Sequence, residues 1–185
     1  MVSKRYLWWF SFWIGLVSGV FCYIYALLPI VQENIIFASF VALPIFFGTS
    51  GAKLKEYPSY ILCAVCGIIW GIIMLLSMGQ LASLGVSGPL QMLIVVGIET
   101  FAAVALHMVV LGNTILNKVP MVFGGLAMTF FCSMYKDIEV ITLFNLAITM
   151  VGGLTMGIFI SIGGERMLKM KYFLEDDPAK PESSK

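Results

Sequence analysis

The chain has 185 residues, of which 60% are hydrophobic and 11% charged, with a net charge of +1 and a mean hydropathy of +0.98. A soluble domain carries about 25% charged residues to face water, so a chain this poor in charge needs a bilayer as its solvent. The net charge points to no nucleic-acid or acidic partner, because the charges sit in loops and tails, where they report topology instead.

Tyr6 to Leu28 forms the first apolar run, stopped by Pro29. Lys4-Arg5 precedes it, but the run is too long for a signal-peptide core and no A-x-A pattern follows, so a retained span is expected. Tyr6, Trp8, Trp9 and Trp13 crowd its start, and Tyr23 and Tyr25 mark its other end, as interfacial aromatics do. The polar turn Val31-Gln32-Glu33-Asn34 leads into Ile35 to Lys55, an apolar segment holding Pro44 and ended by Gly48-Thr49-Ser50-Gly51. A helix of about fourteen residues rises only about 21 Å, short of a hydrocarbon core of about 30 Å. After Lys53-Leu54-Lys55-Glu56, a third span is expected from Ser59 to about Met78. Gly79 to Pro89 reads as a connection with a turn at Gly88-Pro89, and Leu90 to Leu111 as a fourth span closed by Gly112-Asn113. Val119 to Met134 is a second short segment, with Gly124-Gly125 inside it. The last span is expected over about Val140 to Ile162, ended by Gly163-Gly164. Residues 1–172 read as a single transmembrane domain and 173–185 as a disordered cytoplasmic tail.

Orientation follows from lysine and arginine. With six crossings, Lys4, Arg5, Lys53, Lys55, Lys118, Arg166, Lys169 and Lys171 share the cytoplasmic side and only Lys136 lies outside. With both short segments re-entrant, the positive charges divide almost evenly. The positive-inside bias therefore favours six crossings with both termini cytoplasmic.

The halves also resemble each other. Phe46-Phe47-Gly48-Thr49 is answered by Phe130-Phe131-Cys132-Ser133, and the pair Gly67/Gly71 by Gly153/Gly157. Three spans per half make the repeats, about 6–79 and 90–163, oppositely oriented. The expected fold is an all-α integral membrane protein with six transmembrane helices as a 3+3 inverted repeat, helices two and five being short and Gly/Pro-interrupted. Interrupted segments in corresponding halves are the sequence pointer to a transport site. Gly67/Gly71, Gly153/Gly157 and a third pair, Gly15/Gly19, are expected to let helix backbones approach closely.

Glu99 stands out as a carboxylate near the middle of span four. A central acidic residue costs roughly 2.5–3.5 kcal/mol on insertion, so it should face protein or water. No lysine or arginine lies at its depth. It reads either as a site residue for a small polar solute, a cation or a proton, or as a hydrogen-bonded structural group. Pro44, Gly48, Thr49, Gly124, Gly125, Thr129 and Ser133 would line the same route. Hydroxyls on or beside the short segments (Ser39, Thr49, Ser50, Thr129, Ser133) have an ordinary use too, in satisfying backbone groups freed by Pro44 and the glycines. His107, about 12 Å along the helix from Glu99, reads as an interfacial hydrogen bonder near a helix end. Trp70 reads as a core filler. Cys22, Cys63, Cys66 and Cys132 all fall in apolar segments and read as small hydrophobes, not as a disulfide framework or a metal site. No phosphate loop or nucleophile–base set appears, so neither an enzyme nor a cofactor is expected.

The FFGTSGAKLK exit of the second segment, Gly67 to Gly71 in span three and Val119-Pro120 leading into FGGLAMTF are similar to the YcdZ-type family of uncharacterised small bacterial multi-pass inner-membrane proteins. The resemblance covers about Leu16 to Leu168. It implies location and topology, and it carries no site residues. The reading that follows is a small-solute channel or transporter. The alternative is a non-transporting scaffold or interaction protein whose glycine faces bind a partner or a second copy of the chain.

Overall fold

In lipid every backbone polar group needs an internal partner, and helices supply one without a sheet edge. The computed structural model describes residues 3–28, 35–135 and 139–170, and its regular elements are all helical. Helix α1 is Lys4–Ala26, capped by Ser3, whose side chain accepts a 3.0 Å bond from the Tyr6 amide. Helix α2, Phe37–Ser50, ends at Gly51 with φ +64°, a left-handed conformation that glycine adopts without strain. A 3-10 turn, Leu54–Glu56, leads into α3, Tyr57–Ser83, with Pro58 in its first turn. Helix α4, Gly88–Val104, continues as a π-helical turn over Ala105–Val110. Helix α5 is Val119–Tyr135 and α6 is Val140–Leu168.

Four of these helices are long and apolar enough to cross a membrane, α1, α3, α4 with its π turn, and α6. Helices α2 and α5 are the shorter apolar pair, rising about 21 and 26 Å. Three boundaries differ from the sequence expectation, and at one of them α4 already begins at Gly88, where the expected turn Gly88-Pro89 forms the first turn of the helix. Helix α3 runs on to Ser83, past Met78. Helix α6 continues through Gly163-Gly164 to Leu168, because these glycines make room for α1 instead of stopping a helix. A Cβ on Gly163 would lie 2.0 Å from the Trp13 indole nitrogen, and one on Gly164 2.7 Å from the Phe10 ring.

The core joins α2, α3, α5 and α6. Phe46, Tyr60, Ile68, Met121, Leu146 and Met150 are among its buried side chains. Helix α3 packs mainly on α5, and α2 mainly on α6; α1 lies against α6, and α4 against α3. The contacts fix the directions. Gly67 meets Val122 and Gly125, and Gly71 meets Thr129, so α3 and α5 run parallel. Gly153 meets Ser39, Gly157 meets Leu43, and Ser161 bonds the Gly51 carbonyl, so α2 and α6 run parallel too. Tyr25 pairs with Thr149 and Trp13 with Phe159, which makes α1 antiparallel to α6. The outer faces of α1 and α4 expose large apolar side chains, Trp8, Phe12, Leu93, Phe101 and Val109 among them. So much contiguous apolar surface suits a bilayer and not water.

The helix-packing expectation divides. Gly67, Gly71, Gly153 and Gly157 sit where neighbouring backbone or side chains leave no space for a Cβ or hold it in close contact. Gly15 and Gly19 have nothing within 4 Å. Helix α1 meets α6 through its aromatic residues, so the glycine pair on α1 faces away from the rest of the chain.

Candidate functional site

Glu99 lies on the stripe of α4 that turns inward. Val95 and Ala103, one turn on either side, are buried, as is His107 one turn further. Glu99 itself is half-buried, and its Oε2 is shielded from solvent with no hydrogen-bond partner. Helix α4 packs mainly on α3, so the stripe that carries Glu99 lies along that seam. The Trp70–His107 contact sets the register of this seam, and equal rise along two antiparallel helices brings Glu99 to the level of about Met78.

His107 is 2% exposed, and its hydrogen bonds are made inside the protein. The Trp70 indole N–H, which can only donate, reaches its Nε2 at 3.3 Å. Its Nδ1 therefore carries the hydrogen and donates to the Leu116 carbonyl at 2.6 Å. The ring is a neutral imidazole with both nitrogens used, tying α3 and the loop before α5 to the end of α4. The π turn around it widens the helix there, and its i→i+5 bond runs from the Leu111 amide to the Leu106 carbonyl at 2.8 Å. Trp70, half-buried against the core, thus also serves as a donor.

The residues expected along the short helices fall into two groups. Pro44 and Gly48 are exposed on α2. Gly124, Gly125 and Thr129 are packed into helix seams. A Cβ on Gly124 would lie 2.8 Å from Ile45, and one on Gly125 2.3 Å from the Ala64 carbonyl, which leaves no room for a solute at either in this conformation. Thr129 donates to the Gly125 carbonyl at 2.9 Å and Ser133 to that of Phe130 at 2.7 Å. Thr49 bonds the Ile45 carbonyl and, at 2.5 Å, the Tyr60 hydroxyl. Ser39 donates to Ile36 at 2.6 Å and Ser50 to Phe46 at 2.8 Å. These hydroxyls bond carbonyls three or four residues back; none of the five reaches the Phe40 carbonyl, which Pro44 deprives of its amide partner.

A second polar stripe lies on α6. Thr142, Asn145 and Thr149 are each at most 2% exposed. Thr149 donates to the Asn145 carbonyl at 2.7 Å, so the 2.5 Å contact with Tyr25 is a bond from the Tyr25 hydroxyl to Thr149. The Thr142 Oγ1 and Asn145 Oδ1 have no partner. Sequence reasoning passed over both residues, although the i, i+3, i+7 spacing of Thr142, Asn145 and Thr149 in an apolar helix was the available signal.

At the opposite end of the bundle, Tyr57 and Thr155 share a 2.6 Å bond between α3 and α6. Lys118 pairs with Glu56 at 2.9 Å and lies 5.8 Å from the centre of the Tyr60 ring. The hydrogen bond from Lys118 and its charge hold the Glu56 carboxyl below its usual range, and the same bond raises the Lys118 ammonium. A cavity of about 690 Å³ opens beside the pair, among Lys55, Ser59, Asn113, Asn117 and their neighbours.

A family described as "Protein of unknown function (DUF1097)" matches residues 11–165. No curated protein and no solved structure matches the chain.

Proposed function

The chain belongs to the DUF1097 family of proteins of unknown function, and from that premise we propose that it is a six-crossing transporter or channel for a small neutral or cationic solute. The observation that carries this reading is Glu99, a mid-span carboxylate with a buried oxygen and no partner. A purely structural glutamate in an apolar helix would be expected to have its hydrogen bonds made, since an unsatisfied buried polar group costs about 1–3 kcal/mol.

Six crossings are supported by the helix directions, because α2 runs with α6 and α5 with α3. The lysine distribution supports both termini on the cytoplasmic side of a bacterial inner membrane, as does the resemblance to YcdZ-type proteins. An inverted 3+3 repeat is supported by the packing, which keeps its form when the halves are exchanged. The α2–α6 seam answers α3–α5, and α1 on α6 answers α4 on α3. The close contact of Ser39 with Gly153 is answered by that of Gly125 with Gly67, both partners being displaced by 86 positions (39 to 125, 67 to 153). Short helices at the centre of an inverted repeat are a recurrent transporter plan.

Glu99→Gln in proteoliposomes tests the assignment. A change in solute flux or in its pH dependence is expected, and equal flux at several pH values would remove Glu99 from the mechanism. A second reading, a non-transporting scaffold, is favoured by one observation. Of the three glycine pairs only Gly15/Gly19 is left open, so a second copy of the chain would dock there on α1. A stoichiometric complex through α1 with no detectable flux favours this second reading.

A further inference from the structure

The side-chain atoms that are buried without a partner among the described residues are Glu99 Oε2, Thr142 Oγ1 and Asn145 Oδ1; all are oxygens. Two of the three share one face of α6, a single turn apart, where side chains three residues apart are neighbours. Five hydroxyls on α6 and on the helices packed against it are already used. Tyr25 donates to Thr149, Thr149 to the Asn145 carbonyl, Ser39 to Ile36, Thr129 to Gly125 and Ser133 to Phe130. Each bonds within its own helix or to the next hydroxyl, and none of these donors is left for the Asn145 amide oxygen. That oxygen only accepts.

From this arrangement we infer that Thr142 and Asn145 form a binding site for a small neutral solute carrying N–H or O–H donors, an amide being the closest chemical fit. A donor is required because Oδ1 offers only lone pairs. The Thr142 hydroxyl accepts as well and can return one hydrogen bond to a carbonyl oxygen of the same solute. Neutrality follows from the surroundings. Thr142 and Asn145 lie in the first two turns of α6, whose N-terminal dipole end repels a cation. Glu139, the N-cap residue one turn before Thr142, is exposed to solvent, and no carboxylate within α6 lies beside the buried pair, where a cation without a counter-charge is costly. An alkali ion would also need more oxygens than this pair supplies. The site is distinct from Glu99, which lies along the α3–α4 seam. Its part in moving a solute rests on the transport reading; its capacity to bind one does not.

The test uses the full chain in lipid nanodiscs, with acetamide as the probe and methylammonium as its cationic counterpart, read by saturation-transfer NMR. Acetamide is expected to give a saturable signal, and Thr142→Val and Asn145→Leu to weaken binding at least about tenfold, the loss of about 1.4 kcal/mol. Thr142→Val is nearly isosteric, so it decides the matter if Asn145→Leu does not fold. No saturable acetamide signal, undiminished binding by folded Thr142→Val, or preference for methylammonium would each overturn the inference. Acetamide flux into proteoliposomes is measured in parallel. Binding without flux upholds the site and removes the transport reading; flux without a saturable binding signal removes the site and spares transport.

Discussion

His107 joins three pieces of the chain through one ring, and its burial gives it a measurable weight. Replacing it with phenylalanine leaves the Trp70 N–H and the Leu116 carbonyl without their partner, each at a cost of about 1–3 kcal/mol where water cannot reach. The expected outcome is a lower thermal midpoint for His107→Phe in detergent. Trp70→Phe is expected to show part of the same loss, and the double variant less than the sum. Midpoints equal to wild type for both singles would show that the two bonds contribute nothing. The sequence made the residue visible as the chain's single histidine, near a helix end. It did not reveal the burial, in which the ring is bonded by Trp70 on α3 and by the Leu116 carbonyl of the loop before α5.

At the scale of the helix, the three glycine pairs look alike in sequence and differ in what they meet. Gly67 and Gly153 face backbone, with an added Cβ falling 2.0 Å from the Val122 carbonyl and 2.2 Å from that of Ser39. Backbone in a packed seam cannot step aside, so Gly67→Ala and Gly153→Ala are expected to separate α3 from α5 and α2 from α6. Both should reduce the yield of monodisperse protein and lower the thermal midpoint, at a stability cost at the upper end of the roughly 1–3 kcal/mol typical of overpacking. Gly15→Ala is expected to be neutral or slightly stabilising in the monomer, since open space surrounds it and alanine is the better helix former. Midpoints that fall equally for Gly15→Ala and Gly153→Ala would sink this distinction. A G-x-x-x-G spacing announces that a close approach is sterically available; only the neighbouring helix makes it necessary. The same reasoning accounts for Gly163-Gly164, which reads as a helix stop in the sequence and serves as a seat for α1 aromatics in the fold.

For the molecule as a whole, the parallel pairs α2–α6 and α3–α5 carry a topological prediction. Single cysteines at Lys53, Lys118 and Lys169, in a background without Cys22, Cys63, Cys66 and Cys132, should all react with an impermeant thiol reagent from the cytoplasmic side. Reaction of the Lys53 and Lys118 positions from the opposite side, with Lys169 still cytoplasmic, would rule out six crossings. The expected tail beyond residue 172 and the loop bearing Lys136 lie outside the described residues. The sequence by itself determined the solvent, the helical class, the positions of six apolar segments and the shortness of two of them, because hydropathy and helix length are properties of a local stretch. It also exposed Glu99, since a charge in an apolar run is conspicuous without knowing its neighbours. Only the tertiary structure decided that α2 and α5 are held in the core, that Glu99 lies along the α3–α4 seam, that Gly15/Gly19 stays open, and that Thr142 and Asn145 lack partners. Each of these depends on which side chains and carbonyls meet across seams between distant segments. A polar group is recognised as unpartnered only after every donor around it has been located in space.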